Sequence, residues 1–304
     1  MLSTPANVVK SIGKVIRNNI AKKLSLPRWH EAGDRIKNWF FLYFIYSSFL
    51  IDIIAALFRN SEKAKRLKIK VSYRNGLSMY FPMLTSTFYS ILLNLAAEKY
   101  LSDFKRLYLR DMHFQKDDVV IDIGAHVGTF AIPIFIDNPF IRVFAYEPDP
   151  GNFNCLKRNL KANRIDQSRF LAQPLAVYKV AGRIPFSVGK ISTRSRAADI
   201  SFSSEAATKT ICVKAITLKD IFKQNSIDRC KLLKIDCEGG EFEIFKNIPN
   251  EILGKIEHLF VELHPVCEED RFDLKEYLRD KGFMVKEDVP EKGNQELYCV
   301  REDS

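Results

Sequence analysis

Between residues 118 and 265 five short apolar runs, "DVVIDIG", "RVFAYEP", "RFLAQPLAV", "KLLKIDC" and "HLFVELHP", alternate with stretches of helical character. Runs that are apolar at nearly every position suit strands buried on both faces, and their alternation with helices makes the sheet parallel. A closing pair, "FMVKED" and "LYCVRE", follows. The expected class is therefore α/β, doubly wound and Rossmann-like. In such sheets ligands bind beyond the carboxyl ends of the strands, where the strand order reverses. With 304 residues, 46% hydrophobic and 28% charged, the chain has enough apolar material for a full core.

The first run leads into "VVIDIGAHVGTF", residues 119–130. A dinucleotide fingerprint needs Gly-x-Gly-x-x-Gly so that backbone can approach a pyrophosphate. Here the register is Gly124-Ala125-His126-Val127-Gly128, with His126 at the second glycine position, which counts against nicotinamide and flavin cofactors. S-adenosylmethionine carries no phosphate, and an Asp followed by a glycine turn suits its amino-acid end. Asp122 either orients the turn or meets the ammonium group. A bare strand-to-helix turn is the plainer alternative. Glu147 ends the second run in "FAYEPDP", placed to accept hydrogen bonds from ribose hydroxyls, or to stand as a solvated strand end. Pro148 stiffens its loop. Asp149 reads as an N-cap with Pro150 at the first helical position.

The blocks "VIDIGAHVGTF", "AYEPDPGNFNCLKRNLKAN", "ITLKDIF", "LLKIDCEGGEFEIF" and "FVELHP" in this order resemble the FkbM family of S-adenosylmethionine-dependent methyltransferases over about residues 117–265. The resemblance implies a doubly wound, mostly parallel seven-stranded sheet. It also implies methyl transfer to an oxygen, with a sugar, a lipid-linked glycan or a secondary metabolite as hydroxyl acceptor. Cofactor contacts are then expected from Asp122, Gly124, Ala125, Gly128, Glu147 and Pro148. Three positions depart from the family pattern: His126 replaces a commoner Asn, Tyr178-Lys179 replace a small residue and Asp, and Lys219 replaces an Asp. The second departure bears on the adenine contact.

Methyl transfer from a sulfonium asks mainly for alignment and for handling of the acceptor's proton. Asp236, at the end of the fourth run, is the first candidate for that proton. Glu238 follows two residues later, and the pair also admits Mg²⁺, although no metal ligand set is assigned. Glu238 and Glu241 are equally readable as loop or cap residues, with Glu241 and Glu243 in a helical first turn. His264 follows Glu262 by two residues on one strand face and is a candidate base or acceptor contact, against the plain reading of a surface His. Residues 189–210, rich in Ser, Thr and Ala, interrupt the sheet pattern and carry Arg194 and Arg196. A lid over an anionic acceptor or a solvated loop both suit this stretch.

Residues 1–70 hold 14 lysines and arginines against four acids, whereas the rest of the chain holds 33 of each sign, so the whole net charge of +10 lies at one end. No nucleic-acid partner is expected for the neutral body. Residues 39–58, "WFFLYFIYSSFLIDIIAALF", are long enough to cross a bilayer, but Asp52 would be costly there. A span, a surface anchor and a packing helix all remain open for this run, so a membrane surface enters as a partner through residues 1–66. Residues 67–115 read as an Asn75-Gly76 hairpin and a helix with Phe88, Ile91, Leu92, Leu95 and Leu101 on one face. Residues 116–304 form the expected methyltransferase domain. The six cysteines contain no CxxC pair and suit a reducing, cytoplasmic setting, with membrane association as an addition. A nicotinamide oxidoreductase and a non-catalytic membrane scaffold are the functional alternatives.

Overall fold

The computed structural model describes residues 68–72, 77–82, 109, 112–188, 196–197, 209–264, 273–288 and 295–302. The apolar run 39–58, the helix expected around residues 88–110, the hairpin tip 73–76 and most of the 189–210 stretch lie outside the described residues. Among the described residues no helix is long and apolar enough to cross a membrane.

Seven strands form the main sheet: β3 (Val119–Ile123), β4 (Arg142–Tyr146), β5 (Phe170–Gln173), β10 (Cys230–Ile235), β11 (Ile256–Leu263), β12 (Phe283–Asp288) and β13 (Gln295–Arg301). Their order is β12-β13-β11-β10-β3-β4-β5. The five strands from β11 to β5 run parallel, and β13 and β12 close one edge antiparallel. This is the doubly wound, mostly parallel seven-stranded sheet that the sequence leads one to expect. β3 is buried at all five positions, so both of its faces are covered, which is why its sequence does not alternate. The chain winds outward from β3 through β4 to β5 and then returns to place β10 on the other side of β3. The strand order therefore reverses between β3 and β10.

Helices connect these strands: α1 (Ala131–Asp137), α2 (Pro150–Ala162), α3 (Leu218–Gln224), α4 (Glu241–Asn247), α5 (Asn250–Leu253) and α6 (Leu274–Asp280). Their starts follow the sequence closely. Asp149 caps α2, its Oδ1 accepting from the backbone N–H of Gly151 at 2.7 Å and Asn152 at 3.1 Å, with Pro150 at the first position. Thr217 and Asp220 form a reciprocal capping box on α3.

One expected strand is two. "RFLAQPLAV" divides at Pro174, which has no N–H to give a ladder: β5 stays in the main sheet, and β6 (Ala176–Val177) enters a second sheet. That sheet has the order β6-β9-β7-β8, with β7 (Gly182–Val188), β8 (Arg196–Ala197) and β9 (Lys209–Ile216), over its own small core of Tyr178, Ile184, Phe186, Val213 and Ala215.

The expected hairpin is present as β1 (Lys68–Ser72) paired antiparallel with β2 (Ser78–Pro82). The free edge of β2 docks on α2 through two asparagine side chains. Asn163 accepts from the Ser78 N–H at 2.8 Å and donates to the Ser78 carbonyl at 2.7 Å. Asn159 does the same for Tyr80 at 2.6 and 3.1 Å and also donates to the Val127 carbonyl at 2.8 Å. A strand edge that would otherwise be open is thus satisfied without another strand. Because Asn159 is fully buried, Asn159→Ala leaves several buried polar groups unpaired and is expected to cost about 2 to 4 kcal/mol, against about 1 kcal/mol for Asn163→Ala. The midpoints of urea unfolding of the two variants measure this difference.

Candidate functional site

The turn after β3 and the turn after β10 meet at the reversal of strand order. Gly124 has φ +74°, and a Cβ placed on it would lie 1.8 Å from the Asp236 carbonyl oxygen. The Asp236 N–H donates to the Ile123 carbonyl at 3.1 Å. Farther along the turn, a Cβ on Gly128 (φ +90°) would meet Ile132 Cδ1 at 2.6 Å and Leu156 Cδ1 at 2.7 Å, so this glycine lets the turn pack on α1 and α2. Between the two glycines His126 stands at φ +51°, a left-handed conformation that Asn, Asp and His adopt more readily than most residues. That accounts for His at a position where the resemblance expects Asn. The N–H groups of Gly124 and Ala125 both donate to the Tyr146 carbonyl at 3.0 Å, tying this turn to the end of β4.

Glu147 follows Tyr146 and is 5% exposed, so it is not a solvated strand end. Its Oε2 accepts from the His126 N–H and its Oε1 from the Asp149 N–H, each at 2.8 Å. Burial pushes its carboxyl up to about 8, although these two backbone donors favour the charged form. Oε1 also accepts from Asn152 Nδ2 at 3.5 Å, so Oε2 is the oxygen with a second lone pair to offer, and the carboxyl group lies beside the Gly124–Gly128 turn. Pro148 is half-buried between Glu147 and the helix cap.

Asp122 is fully buried. Lys234 Nζ lies 3.5 Å from its Oδ1, 3.0 Å from Asp236 Oδ2, and donates to the Gly124 carbonyl at 3.1 Å. Asp122 and Lys234 are register partners on β3 and β10, and Lys234 and Asp236 share a strand face. Burial raises the Asp122 carboxyl against the pull of Lys234. For Lys234, burial opposes the charge, but Asp236 and then Asp122 outweigh it and raise the ammonium. Both Asp122 oxygens are buried without a hydrogen-bond partner among the described residues, so the position suits either expected role, orienting the turn beside Lys234 or meeting the ammonium group of a ligand. Lys234 was not among the expected residues; its signal was a lysine within the otherwise apolar run "KLLKID".

Asp236, Glu238, Glu262 and His264 gather at the ends of β10 and β11. His264 is buried, with Nε2 3.4 Å from Glu238 Oε2 and 3.7 Å from Glu262 Oε1, and Nδ1 3.1 Å from Glu241 Oε1. The reading of His264 as a surface residue is thereby excluded. Glu241 is fully buried and turns back to accept from the N–H groups of Cys237 at 2.8 Å and Gly239 at 2.9 Å. It organises the loop in which Glu238 (φ +57°) and Gly239 (φ +103°) take left-handed conformations, and is no exposed first-turn acid. Glu243 instead pairs with Lys179 at 2.7 Å. Tyr178 is buried in the second sheet's core, so neither residue of the Tyr178-Lys179 departure offers a carboxylate.

The methyltransferase FkbM domain matches residues 122–285. The chain belongs to this family. It is 27% identical over 165 residues to the hexuronic acid methyltransferase AglP of Haloferax volcanii, covering 53% of this chain and 62% of that protein. It is 24% identical over 220 residues to the 31-O-demethyl-FK506 methyltransferase FkbM of Streptomyces tacrolimicus, covering 64% of this chain and 84% of that one. Methyltransferase sdnD of Sordaria araneosa is 23% identical over 198 residues, covering 57% and 76%. This chain thus spans less than two thirds of AglP's length.

Glu238 is pushed up to about 8 by burial, and His264 is raised to about 9 because Glu241 and Glu238 outweigh the effect of burial. With Glu147, these groups hold protons in the folded chain that the unfolded chain has released. Stability from Glu147 and Glu238 is complete below 4.5 and is lost as pH rises through about 8. Stability from His264 is complete below 6.5 and is lost through about 9. His126 and His258, lowered to about 4 mainly by burial, act only below 6.5. Between pH 6.5 and 8 the three raised groups therefore act together, and the melting temperature of the ligand-free chain is expected to fall as pH rises. A thermal-unfolding series across that window that stays flat or climbs contradicts this electrostatic picture.

Proposed function

We propose that this FkbM-family chain transfers a methyl group from S-adenosylmethionine to a hydroxyl oxygen on a sugar or another small, hydroxyl-bearing metabolite. The observation that carries this reading is the charge of the strand ends. At the ends of β3, β4, β10 and β11 the carboxyl groups of Asp122, Glu147, Asp236, Glu238 and Glu262 outnumber Lys234 and His264, and both cations are already held, Lys234 by Asp122 and Asp236 and His264 by Glu238, Glu241 and Glu262. A pyrophosphate would meet carboxyl groups there and cations already engaged by them, which leaves the nicotinamide alternative without support. A cofactor with ribose hydroxyls and a cationic centre is favoured by the same groups. When bound, S-adenosylmethionine supplies an activated methyl group.

The chain's own work is then to bind, orient and take up a proton. The Gly124–Gly128 turn, with Ala125, and the Glu147-Pro148 corner are the proposed cofactor contacts, with Oε2 of Glu147 as the oxygen left for a ribose hydroxyl. Asp236, 28% exposed at its side chain and held by Lys234 through Oδ2, is the proposed acceptor of the hydroxyl proton. His264 and Glu262 border the same space. The names of AglP and FkbM, a hexuronic acid and an FK506 methyltransferase, support an oxygen acceptor of this size. Residues 1–66 are proposed, on charge and apolarity alone, as a segment that attaches the domain to a membrane surface.

Calorimetric titration with S-adenosylmethionine and with NAD tests the reading, with binding of the first alone expected. Glu147→Ala is expected to weaken that binding by about 0.5 to 1.5 kcal/mol at neutral pH, the worth of a typical hydrogen bond, because burial keeps the carboxyl largely protonated there. Affinity equal to wild type in this variant removes Glu147 from the cofactor site. Asp236→Asn is expected to retain the cofactor while turnover on a hydroxyl acceptor drops about 10²- to 10⁴-fold. Full turnover in Asp236→Asn assigns the residue to structure alone.

A further inference from the structure

Asp236, Glu262 and His264 each offer one donor atom, and these atoms all lie within 4.8 Å of one another. Two come from neighbouring alternate positions at the end of β11, so they share a face, and the third comes from the adjacent end of β10. An acidic patch with a nearby His would by itself say little. The arrangement behind the His says more. Glu241, fully buried and outside the trio, lies 3.1 Å from His264 Nδ1. Its carboxylate already accepts two backbone N–H groups, and as an acceptor it takes the Nδ1 proton as well. When the ring is neutral its one proton therefore sits on Nδ1 and the lone pair on Nε2, the nitrogen that faces Glu238 and Glu262, so an ion bound there takes the place of the Nε2 proton. A buried carboxylate on one ring nitrogen, with the other nitrogen among carboxylate oxygens, is how proteins aim a metal-ligating His. Lys234 engages Oδ2 of Asp236, which leaves Oδ1 for another cation.

We propose that Asp236, Glu262 and His264 form a divalent-cation site of the Mn²⁺ class, with Glu238 within reach as a fourth ligand. Carboxylate oxygens suit Mg²⁺, Ca²⁺ and Mn²⁺, whereas an imidazole nitrogen disfavours the first two, so the mixed set selects Mn²⁺. The ion is held by Asp236 itself and takes the substrate's hydroxyl oxygen in an open coordination position, so in the ion-bound chain Asp236 serves as ligand and not as proton acceptor. There it lowers the hydroxyl's pKa so that the proton leaves to solvent more readily. This role rests on the methyltransferase reading, but binding of the ion does not.

The test uses the full chain, stripped with chelator and free of any histidine tag, titrated with Mn²⁺ alone while the resonance of free Mn²⁺ is followed by electron paramagnetic resonance. One ion per chain is expected, with binding weakened at least tenfold in Glu262→Gln and in His264→Asn. Glu241→Gln should lose about 10- to 100-fold by releasing the ring. Each sample is also titrated with S-adenosylmethionine, so a variant that keeps the cofactor and loses the ion has lost only the site. Glu262 is partly exposed, which makes its variant the one least dependent on the fold. Absence of Mn²⁺ binding in the wild-type chain, or wild-type affinity in both Glu262→Gln and His264→Asn, overturns the proposal. If S-adenosylmethionine binds and Mn²⁺ does not, the cation site alone falls; if Mn²⁺ binds and S-adenosylmethionine does not, the site stands and the methyltransferase reading falls.

Discussion

The close approach of the Gly124 and Asp236 backbones is the constraint from which the rest of the site follows. Nothing larger than hydrogen fits at Gly124, since even a methyl carbon would overlap the Asp236 carbonyl. The two turns at the reversal of strand order are consequently parts of one object. Lys234 completes the join from below: it bonds the carbonyl of one turn and the carboxylate of the other while facing the buried Asp122. An ammonium taken out of water at such cost persists only where several partners hold it. Three do so here, and they set the position of Asp236 relative to the glycine turn.

Two buried glutamates repeat the same device on either side of this join. Glu147 gathers the N–H groups of His126 and Asp149, and Glu241 gathers those of Cys237 and Gly239. In each case a carboxylate spans a turn that contains a left-handed residue and satisfies donors that regular structure leaves free. The turns therefore keep their shape without regular backbone pairing. Glu241 extends this to a third element by holding His264 at the end of β11.

The parallel strands were legible because burial on both faces leaves an unbroken apolar run, and the α2 start was legible because Asp149 and Pro150 act locally. Pro174 was visible too, yet nothing in "RFLAQPLAV" says that the second half joins a different sheet, since strand partners are chosen by distant residues such as those of β9. At the site, Glu147, Asp236 and His264 were singled out as candidates from their places at strand ends. The parts that hold them were harder to see. Lys234 looks like a flaw in a strand until its two carboxylates are in place, and Glu241 looks like a helix-start acid until its loop folds over it. Such residues are defined by what surrounds them in space, which a linear pattern does not carry.

The docking of β2 on α2 has an unusual bearing on how this protein can vary. Asn159 and Asn163 read only main-chain groups of Ser78 and Tyr80, so this part of the recognition is blind to side chains, and proline alone would abolish it by removing the N–H being read. A second part is not blind: Arg158 of α2 lies over the Tyr80 ring at 3.8 Å, and Met79 between the two contacts is fully buried. The seat of the hairpin on α2 thus has a main-chain half that outlasts side-chain change and a side-chain half, at Met79 and Tyr80, that does not.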